Sequence, residues 1–187
     1  MEWVGKKITL YKERNEQQRQ EFLQEIANLN PDDIVWADES GIDEILYRSY
    51  ARGPKKSRIY GEKTGKYVSR TSLIGAYNQH IMKAPFRFQG YTNTAIFNCW
   101  VKKCLLPELK PGQTIIIDNA SIHKSPKTKE LIESVGCKLL YQPPYSPDLN
   151  KIEPMWANLK NRLRNYYEPS ISFFHNLDAA LCEFSNC

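Results

Sequence analysis

Apolar residues along this 187-residue chain fall into two kinds of pattern, short continuous runs and longer stretches with helical spacing. The short, largely apolar runs predict strands that are covered on both faces, and they occupy residues 34–37, 115–117 and 137–141. Further strands are predicted between turn-rich segments, at residues 46–50, 68–77 and 85–88. Apolar residues three or four positions apart predict helices over residues 13–29, 92–106, 126–135, 151–164 and 173–184.

The order of these elements indicates one mixed sheet. Strands joined as hairpins come first, and a strand-helix-strand-helix series follows, which predicts an α/β fold with helices on both faces of the sheet. A chain of this length can build one sizeable core but is too short for two. We therefore predict a helical lead-in over residues 1–30 and a single domain over residues 31–187.

Composition narrows the class of protein. Hydrophobic residues make up 41% and charged residues 25% of the chain, which is typical of a globular protein. The chain contains no apolar run near the roughly 18 to 20 residues of a membrane span, and its first residues lack the apolar core of a signal peptide. We therefore predict a cytoplasmic protein without a membrane partner. The five cysteines form no C-x-x-C pair and the three histidines are far apart, which argues against a zinc site.

Positive charge is concentrated in one stretch. The net charge is +5, yet residues 48–70 alone carry +7, from eight basic residues and one acid, so the remainder carries −2. Tyrosines are interleaved with these basic residues, and such a segment can follow a phosphate backbone. The alternative is a solvated surface hairpin. The candidate DNA contacts in this stretch are Arg48, Arg52, Lys55, Lys56 and Arg58.

Three acidic residues stand at the end or start of predicted elements. Asp38 follows the run at 34–37, Asp118 follows the run at 115–117, and Glu153 lies near the start of the helix at 151–164. Parallel strands end side by side, and carboxylates that meet there repel one another unless divalent cations lie between them. We therefore predict two Mg²⁺ ions, replaceable by Mn²⁺, with Asp38 as the bridging ligand and one further acid on each ion.

Each of these acids also has a simpler explanation. An aspartate after a strand often forms a turn or a helix cap, as Asp118 would, and a glutamate in a first helical turn gains from the helix dipole, as Glu153 would. The dipole does not explain the proline-dense loop at 142–150, which suits a carboxylate held at a fixed place. Around Asp38, where we expect a turn at 39–41, the neighbouring acids are predicted to lie outside the site: Asp32, Asp33, Asp43 and Glu44.

The helix that carries Glu153 offers a second basic patch. Its apolar stripe faces the core, and Glu153, Lys160 and Arg164 lie together on the adjacent face. We predict that Lys160 and Arg164 contact DNA beside the carboxylate.

Three segments of the chain resemble the catalytic domain of mariner-like DDE transposases, in the branch of the bacterial insertion sequences. They read DESG at 38–41, DNASIHKS at 118–125 and LYQPPYSPDLNKIE at 140–153. The third motif is long and specific, and the 34 residues between Asp118 and Glu153 match the spacing of this DDE superfamily endonuclease group. The resemblance covers nearly the whole chain.

The resemblance implies a ribonuclease H-like fold of the kind found in retroviral integrases. It also implies metal-dependent cleavage at transposon ends, followed by attack of the freed 3′-hydroxyl on target DNA. Asp38, Asp118 and Glu153 would be the catalytic and metal-binding acids, and Asn119 and His123 would support them. The expected partners are DNA and a second copy of the chain bound with it, which would associate the protein with the nucleoid.

In one respect the chain departs from this family. Full-length members carry an N-terminal helix-turn-helix region, whereas here the first predicted strand begins near residue 34. An upstream helix-turn-helix polypeptide, a truncated remnant and an excised domain all fit this observation. We therefore predict a transposase catalytic domain, with two alternatives: a non-catalytic chain that binds DNA or a full-length partner and regulates it, and a host nuclease of the same fold.

Overall fold

A computed structural model describes residues 11–44, 54, 58, 60, 69–168 and 170–185. Its centre is a five-stranded sheet in the order β3-β2-β1-β4-β5, formed by β1 (Ile34–Asp43), β2 (Arg70–Asn78), β3 (Ile81–Gln89), β4 (Thr114–Ile117) and β5 (Lys138–Tyr141). The first three strands are antiparallel neighbours, and β4 and β5 are added parallel to β1. The predicted mixed sheet is confirmed.

Helices cover both faces of this sheet. They are α1 (Glu16–Ala27), α2 (Thr94–Trp100), α3 (Pro126–Glu133), α4 (Glu153–Tyr166) and α5 (Phe173–Phe184). The α2 helix continues through a π-helical turn, Val101–Leu105, and a 3-10 turn, Leu106–Glu108, so the helix predicted over 92–106 changes its winding. Pro107 in this last turn lacks the amide hydrogen that a regular α-helix would need.

The alternation of side chains along β1 separates two cores. Trp36 and Ile42 point to the face covered by α1, α4 and α5, where Trp156 and Leu159 of α4 are buried with them. Val35 and Ala37 point to the opposite face, covered by α2 and α3. Since successive residues of a strand alternate between faces, Asp38 shares the face of Trp36, and Glu39 shares the face of Ala37.

Two strands extend beyond their predicted ends. The turn expected at residues 39–41 is wrong, because β1 runs on to Asp43 and its polar half pairs with β2 from Asp38↔Gly75 to Asp43↔Arg70. The strand predicted at 85–88 is longer too, since β3 begins at Ile81 and bends at Ala84, whose φ is 49°. The strand predicted at 46–50 lies outside the described residues.

Within the part of the chain that the structure describes, no helix is both long and apolar enough to cross a membrane.

Candidate active site

The three predicted acids come from three elements and line a single pocket of about 510 Å³. Asp38 lies in the middle of β1, two residues past the last β1–β4 pair at Trp36↔Ile116. Asp118 directly follows β4 and lies two residues past Ile116 of the same pair. The parallel register therefore sets Asp38 and Asp118 side by side. Glu153 is the first residue of α4, which packs over the same face as Asp38.

Asp38 is the most buried of the three acids, with 9% of its surface exposed. Its Oδ2 accepts a hydrogen bond of 3.0 Å from Nδ2 of Asn150, itself a buried residue. Burial raises the pKa of Asp38 to about 7, and the negative charges of Glu39, Glu153 and Asp118 add to that rise. A cation beside this carboxyl would therefore offset the cost of burying its negative charge and the repulsion from the neighbouring acids.

Asp118 is held by one oxygen and presents the other. Its Oδ1 accepts from the backbone N–H of Ala120 at 3.0 Å and lies 2.5 Å from Nδ1 of His123. Burial would raise the pKa of Asp118, but the hydrogen bonds from His123 and Ala120 outweigh burial and lower it. The group is therefore an ionised carboxylate, and no described residue donates a hydrogen bond to its Oδ2.

His123 bridges two acids across neighbouring strands. Its Nδ1 faces Asp118, and its Nε2 lies 2.9 Å from Oε1 of Glu39. Burial would lower the pKa of His123, but these two carboxylates raise it to about 9. An ionised carboxylate only accepts hydrogen bonds, so both ring nitrogens donate and the ring is an imidazolium at neutral pH. The ring of Phe97 lies 4.2 Å from it, centroid to centroid, and fixes its plane.

The proline-dense loop before α4 positions both Asn150 and Glu153. A 3-10 turn, Pro147–Leu149, ends at Asn150, whose carbonyl oxygen accepts the N–H of Glu153 at 3.3 Å. Asp148 in this turn is joined to Arg19 of α1 by two hydrogen bonds of 3.0 and 2.7 Å. The loop is thus fastened to α1 through Asp148 and to β1 through Asn150.

The donor set suits a hard divalent cation, although no three His, Cys, Asp or Glu side chains among the described residues enclose a metal ion by themselves. Mg²⁺ commonly binds through one or two carboxylates and completes its shell with water and substrate phosphate oxygens. The free oxygen of Asp118, the destabilised carboxyl of Asp38 and the exposed carboxylate of Glu153 fit that mode of binding.

The residues predicted to contact DNA have different outcomes. Arg48, Arg52, Lys55 and Lys56 lie outside the described residues. Among the remaining candidates, exposed side chains are found at Arg58 and Arg164. Lys160 is half-buried, and burial lowers its pKa, while the charges of Glu153 and Asp38 act in the opposite direction. Lys160 therefore lies within electrostatic reach of the acids, and Asn119 lines their pocket.

Sequence reasoning missed two residues that hold the acids in place, Glu39 and Asn150. Glu39 follows Asp38 directly, but its contact with His123 crosses to another strand and cannot be read from sequence spacing. Asn150 lies in the proline-dense loop, but its hydrogen bond to Asp38 spans 112 positions and has no local sequence signal.

Known proteins resemble this chain in sequence and in fold. Residues 33–177 match the DDE superfamily endonuclease family. An uncharacterized 39 kDa protein of insertion element IS630 from Shigella sonnei is 38% identical over 122 residues. That match covers 64% of this chain and 34% of the Shigella protein, so the chain spans about a third of that relative.

Solved structures with the same fold include two of the Mos1 transposase. The paired-end complex with the left transposon end has a TM-score of 0.62 at 16% identity, covering 98% of this chain and 64% of the Mos1 chain. The catalytic domain of Mos1 mariner transposase has a TM-score of 0.60 at 16% identity, and the match covers 99% of this chain and 86% of the Mos1 chain. A chain of the simian T-cell lymphotropic virus intasome has a TM-score of 0.53 at 16% identity, and the match covers 82% of this chain and 48% of the intasome chain.

At such low identity these structures establish the fold, and the predicted ribonuclease H-like, integrase-like architecture is confirmed. The family predicted from the three motifs is confirmed by the match over residues 33–177. The chain belongs to the DDE superfamily endonuclease family.

Proposed function

We propose that this chain is the catalytic part of a transposase that cleaves DNA strands and joins the freed 3′-hydroxyl to target DNA. The observation that carries the proposal is the convergence of Asp38, Asp118 and Glu153 on one pocket, where burial and the charges of the other acids raise the pKa of Asp38 to about 7. Such a site favours a cation over a proton once divalent metal is present.

The three acids would hold two divalent cations, Mg²⁺ or Mn²⁺, which supply Lewis-acid activation of the attacking oxygen and neutralise charge on the departing one. His123 would keep Oδ1 of Asp118 engaged, so that its Oδ2 is aimed at the pocket. Asn150 would hold one oxygen of Asp38 in the same way. These contacts fix the ligands before the substrate arrives, which is the geometry that metal-assisted phosphoryl transfer requires.

The proposed DNA contacts are the basic residues around the pocket. Lys160 follows Glu153 by two helical turns and would approach a phosphate next to the acids, with Arg164 one turn further along α4. Arg48, Arg52, Lys55, Lys56 and Arg58 would extend the contact along the duplex and add to its salt dependence. The Mos1 structures include complexes with transposon ends, and by analogy we propose DNA ends, a homodimer on DNA and an upstream helix-turn-helix polypeptide as partners.

The proposal is tested by nicking and joining of a labelled duplex oligonucleotide in Mg²⁺ or Mn²⁺. The wild type is compared with Asp118→Asn and with Asp43→Asn, an exposed acid on β1 outside the pocket. We expect metal-dependent nicked and joined products from the wild type and from Asp43→Asn, and none from Asp118→Asn.

The products also separate the alternatives. Nicked products without joining would favour a nuclease over a transposase. A folded wild type that gives no product, alone or with the upstream polypeptide added, would overturn the catalytic proposal in favour of a regulatory chain.

A further inference from the structure

A β-bulge interrupts the pairing of β2 with β3 at the level of Asp38. The register of these two strands shifts around Gly75, which lies opposite two residues of β3, Ala84 and Pro85. On its other side Gly75 pairs with Asp38 of β1. Bulges increase the local twist of a sheet and are common next to active sites, where they re-aim a side chain. This bulge is separated from the most buried of the three acids by a single residue of β2.

The backbone of the bulge is held in a conformation that alanine rarely adopts. The φ of Ala84 is +49°, in the left-handed region where glycine is the usual residue. Pro85 follows it and has no N–H to donate to the ladder. Strain of this kind persists only where the surrounding structure imposes it, and it is concentrated at functional sites.

Two side chains from the segment that begins with α2 impose this conformation. The N–H of Ala84 donates to Oε1 of Glu108 at 2.7 Å, and its carbonyl oxygen accepts from Nε1 of Trp100 at 2.8 Å. Ala84 is buried, so loss of either partner would leave a polar group unsatisfied, which is destabilising. Trp100 ends α2 and Glu108 ends the 3-10 turn, so the π-helical turn between them determines how far apart the two groups lie.

Gly75 connects the bulge to the carboxylate site. It has no side chain to separate β2 from Trp156 of α4, whose Cη2 would lie 3.1 Å from a Cβ at this position. At this point β2 therefore packs directly against the helix that begins with Glu153, on the face of the sheet that Asp38 shares. A change of twist at Gly75 would move Asp38 relative to Glu153.

We propose that Glu108 and Trp100 are positioning residues for the metal site. By holding the bulge at Ala84 they fix the twist of β2 at Gly75, and with it the distance from Asp38 to the other two acids. Neither residue lines the carboxylate pocket, and Trp100 belongs to the core on the opposite face of the sheet. This inference rests on the proposed function and deepens it, because it extends the control of metal affinity across the sheet.

Removal of the carboxylate at position 108 tests the proposal. Mn²⁺ binding to the DNA-free protein is measured from the electron paramagnetic resonance of the unbound ion, and nicking is measured over a range of Mn²⁺ concentrations. Loss of an outer contact that orients metal ligands typically weakens metal binding by roughly 10- to 100-fold. For Glu108→Ala we expect a Mn²⁺ dissociation constant about tenfold higher, and a matching rise in the Mn²⁺ concentration for half-maximal nicking. The nicking rate at saturating Mn²⁺ should change by less than about threefold.

Two further variants separate the hydrogen bond from the charge. Glu108→Gln keeps an oxygen that accepts the N–H of Ala84 but carries no charge, so its Mn²⁺ affinity should stay within about twofold of the wild type. Ala84→Gly, added to Glu108→Ala, lowers the cost of the left-handed backbone and should bring the affinity back to within about threefold. Glu133→Ala, at an exposed acid of α3, is the control and should change nothing.

A Glu108→Ala variant with lower thermal stability but unchanged Mn²⁺ affinity would overturn the proposal and leave the proposed function intact. An equal loss of affinity in Glu108→Gln and Glu108→Ala would also overturn it, because charge and not the hydrogen bond would then be responsible. If Glu108→Ala does not fold, Trp100→Phe removes the other hydrogen bond and keeps an aromatic ring. Its Mn²⁺ affinity should fall by about fivefold, and an unchanged affinity would contradict the proposal.

The same measurements distinguish failure of this inference from failure of the proposed function. A wild type whose Mn²⁺ affinity depends on Glu108, but which gives no nicked product alone or with the upstream polypeptide, would overturn only the catalytic proposal. A wild type that binds no Mn²⁺ would overturn both.

Discussion

Arg19 and Asp148 lie 129 positions apart in the chain, yet they form a two-point ion pair, Nη1 to Oδ1 at 3.0 Å and Nη2 to Oδ2 at 2.7 Å. The guanidinium is buried, whereas the side chain of Asp148 is 53% exposed. The pair joins α1 to the turn that precedes Asn150 and Glu153. The first helix of the chain thereby helps to fix the placement of two residues in the candidate active site.

We predict that Asp148→Asn lowers the free energy of unfolding by about 1 kcal/mol at pH 7, a modest value because solvent screens the exposed carboxylate. Hydrogen bonds from Arg19 lower the pKa of Asp148, so the pair stabilises the protein above the unfolded pKa of about 3.9. This contribution is lost as the pH falls through the lower pKa of the folded state. Urea unfolding of both proteins at a series of pH values measures it. Glu25→Gln, an exposed acid on α1, serves as the control.

We predict that Asp38→Asn stabilises the metal-free protein at pH 8. Burial raises the pKa of Asp38 to about 7, so the folded state holds a proton that the unfolded state has released between about pH 4 and pH 7. Stability of the wild type should therefore fall across that interval and level off above it. The substitution should raise the free energy of unfolding by on the order of 2–4 kcal/mol at pH 8, and it should change that free energy little at pH 4.

Thermal or urea unfolding in EDTA checks this prediction, with Asp43→Asn as the control on the same strand. Equal stability of Asp38→Asn and the wild type at pH 8 would show that the carboxyl is not destabilised in the folded protein.

We predict that His123→Gln lowers the rate of nicking by about 10- to 100-fold with little change in DNA affinity. A neutral glutamine cannot give a charged hydrogen bond to both Asp118 and Glu39, so the free oxygen of Asp118 loses its fixed direction. Single-turnover nicking measures the rate, and anisotropy in Ca²⁺ measures the affinity. His175→Gln, at an exposed position on α5, should leave both unchanged. Parallel losses of rate and affinity would instead indicate general damage to the fold.

We predict that Gly75→Ala disturbs α4. A Cβ at position 75 would lie 3.1 Å from Cη2 of Trp156, closer than ordinary van der Waals contact, so the indole would have to move. We expect a loss of about 1–3 kcal/mol in unfolding free energy. Because Trp156 follows Glu153 by less than one helical turn, nicking should fall as well.

A double-mutant cycle with Trp156→Phe separates this clash from other effects. The smaller ring makes room for the methyl group of alanine. The double variant should therefore lose less unfolding free energy than the sum of the losses in the two single variants. Additive losses would mean that the close approach of Trp156 is not what requires glycine at this position.

Some elements could be predicted from the sequence because one local signal determined them. The predicted bounds of α5 agree with the structure, since its apolar face repeats every three to four residues and Ser172 caps its first turn. The three isoleucines of β4 likewise form a fully buried strand, as a continuous apolar run predicts.

Other features depend on neighbours that are distant in sequence. The polar half of β1 resembles a turn when it is considered alone, and it is extended because β2 supplies a complete set of antiparallel pairs. In the site, Asp118 and Glu153 could be found from their positions at the borders of elements, and Asp38 could be found as the first acid after the apolar half of β1. The bridge from Glu39 through His123 to Asp118 could not, because it requires the actual distance between two strands.

The pairing of Asp38 with Gly75 in the middle of β1 has a consequence for how this chain tolerates insertions and deletions. A shift of one residue along the β1–β2 ladder would turn every side chain of β1 to the opposite face. Glu39 would then enter the carboxylate pocket, and Asp38 would turn towards His123. The identity of the acid at the reacting centre is therefore set by strand register, so a single-residue deletion within β1 should be far more damaging than conservative substitutions along it.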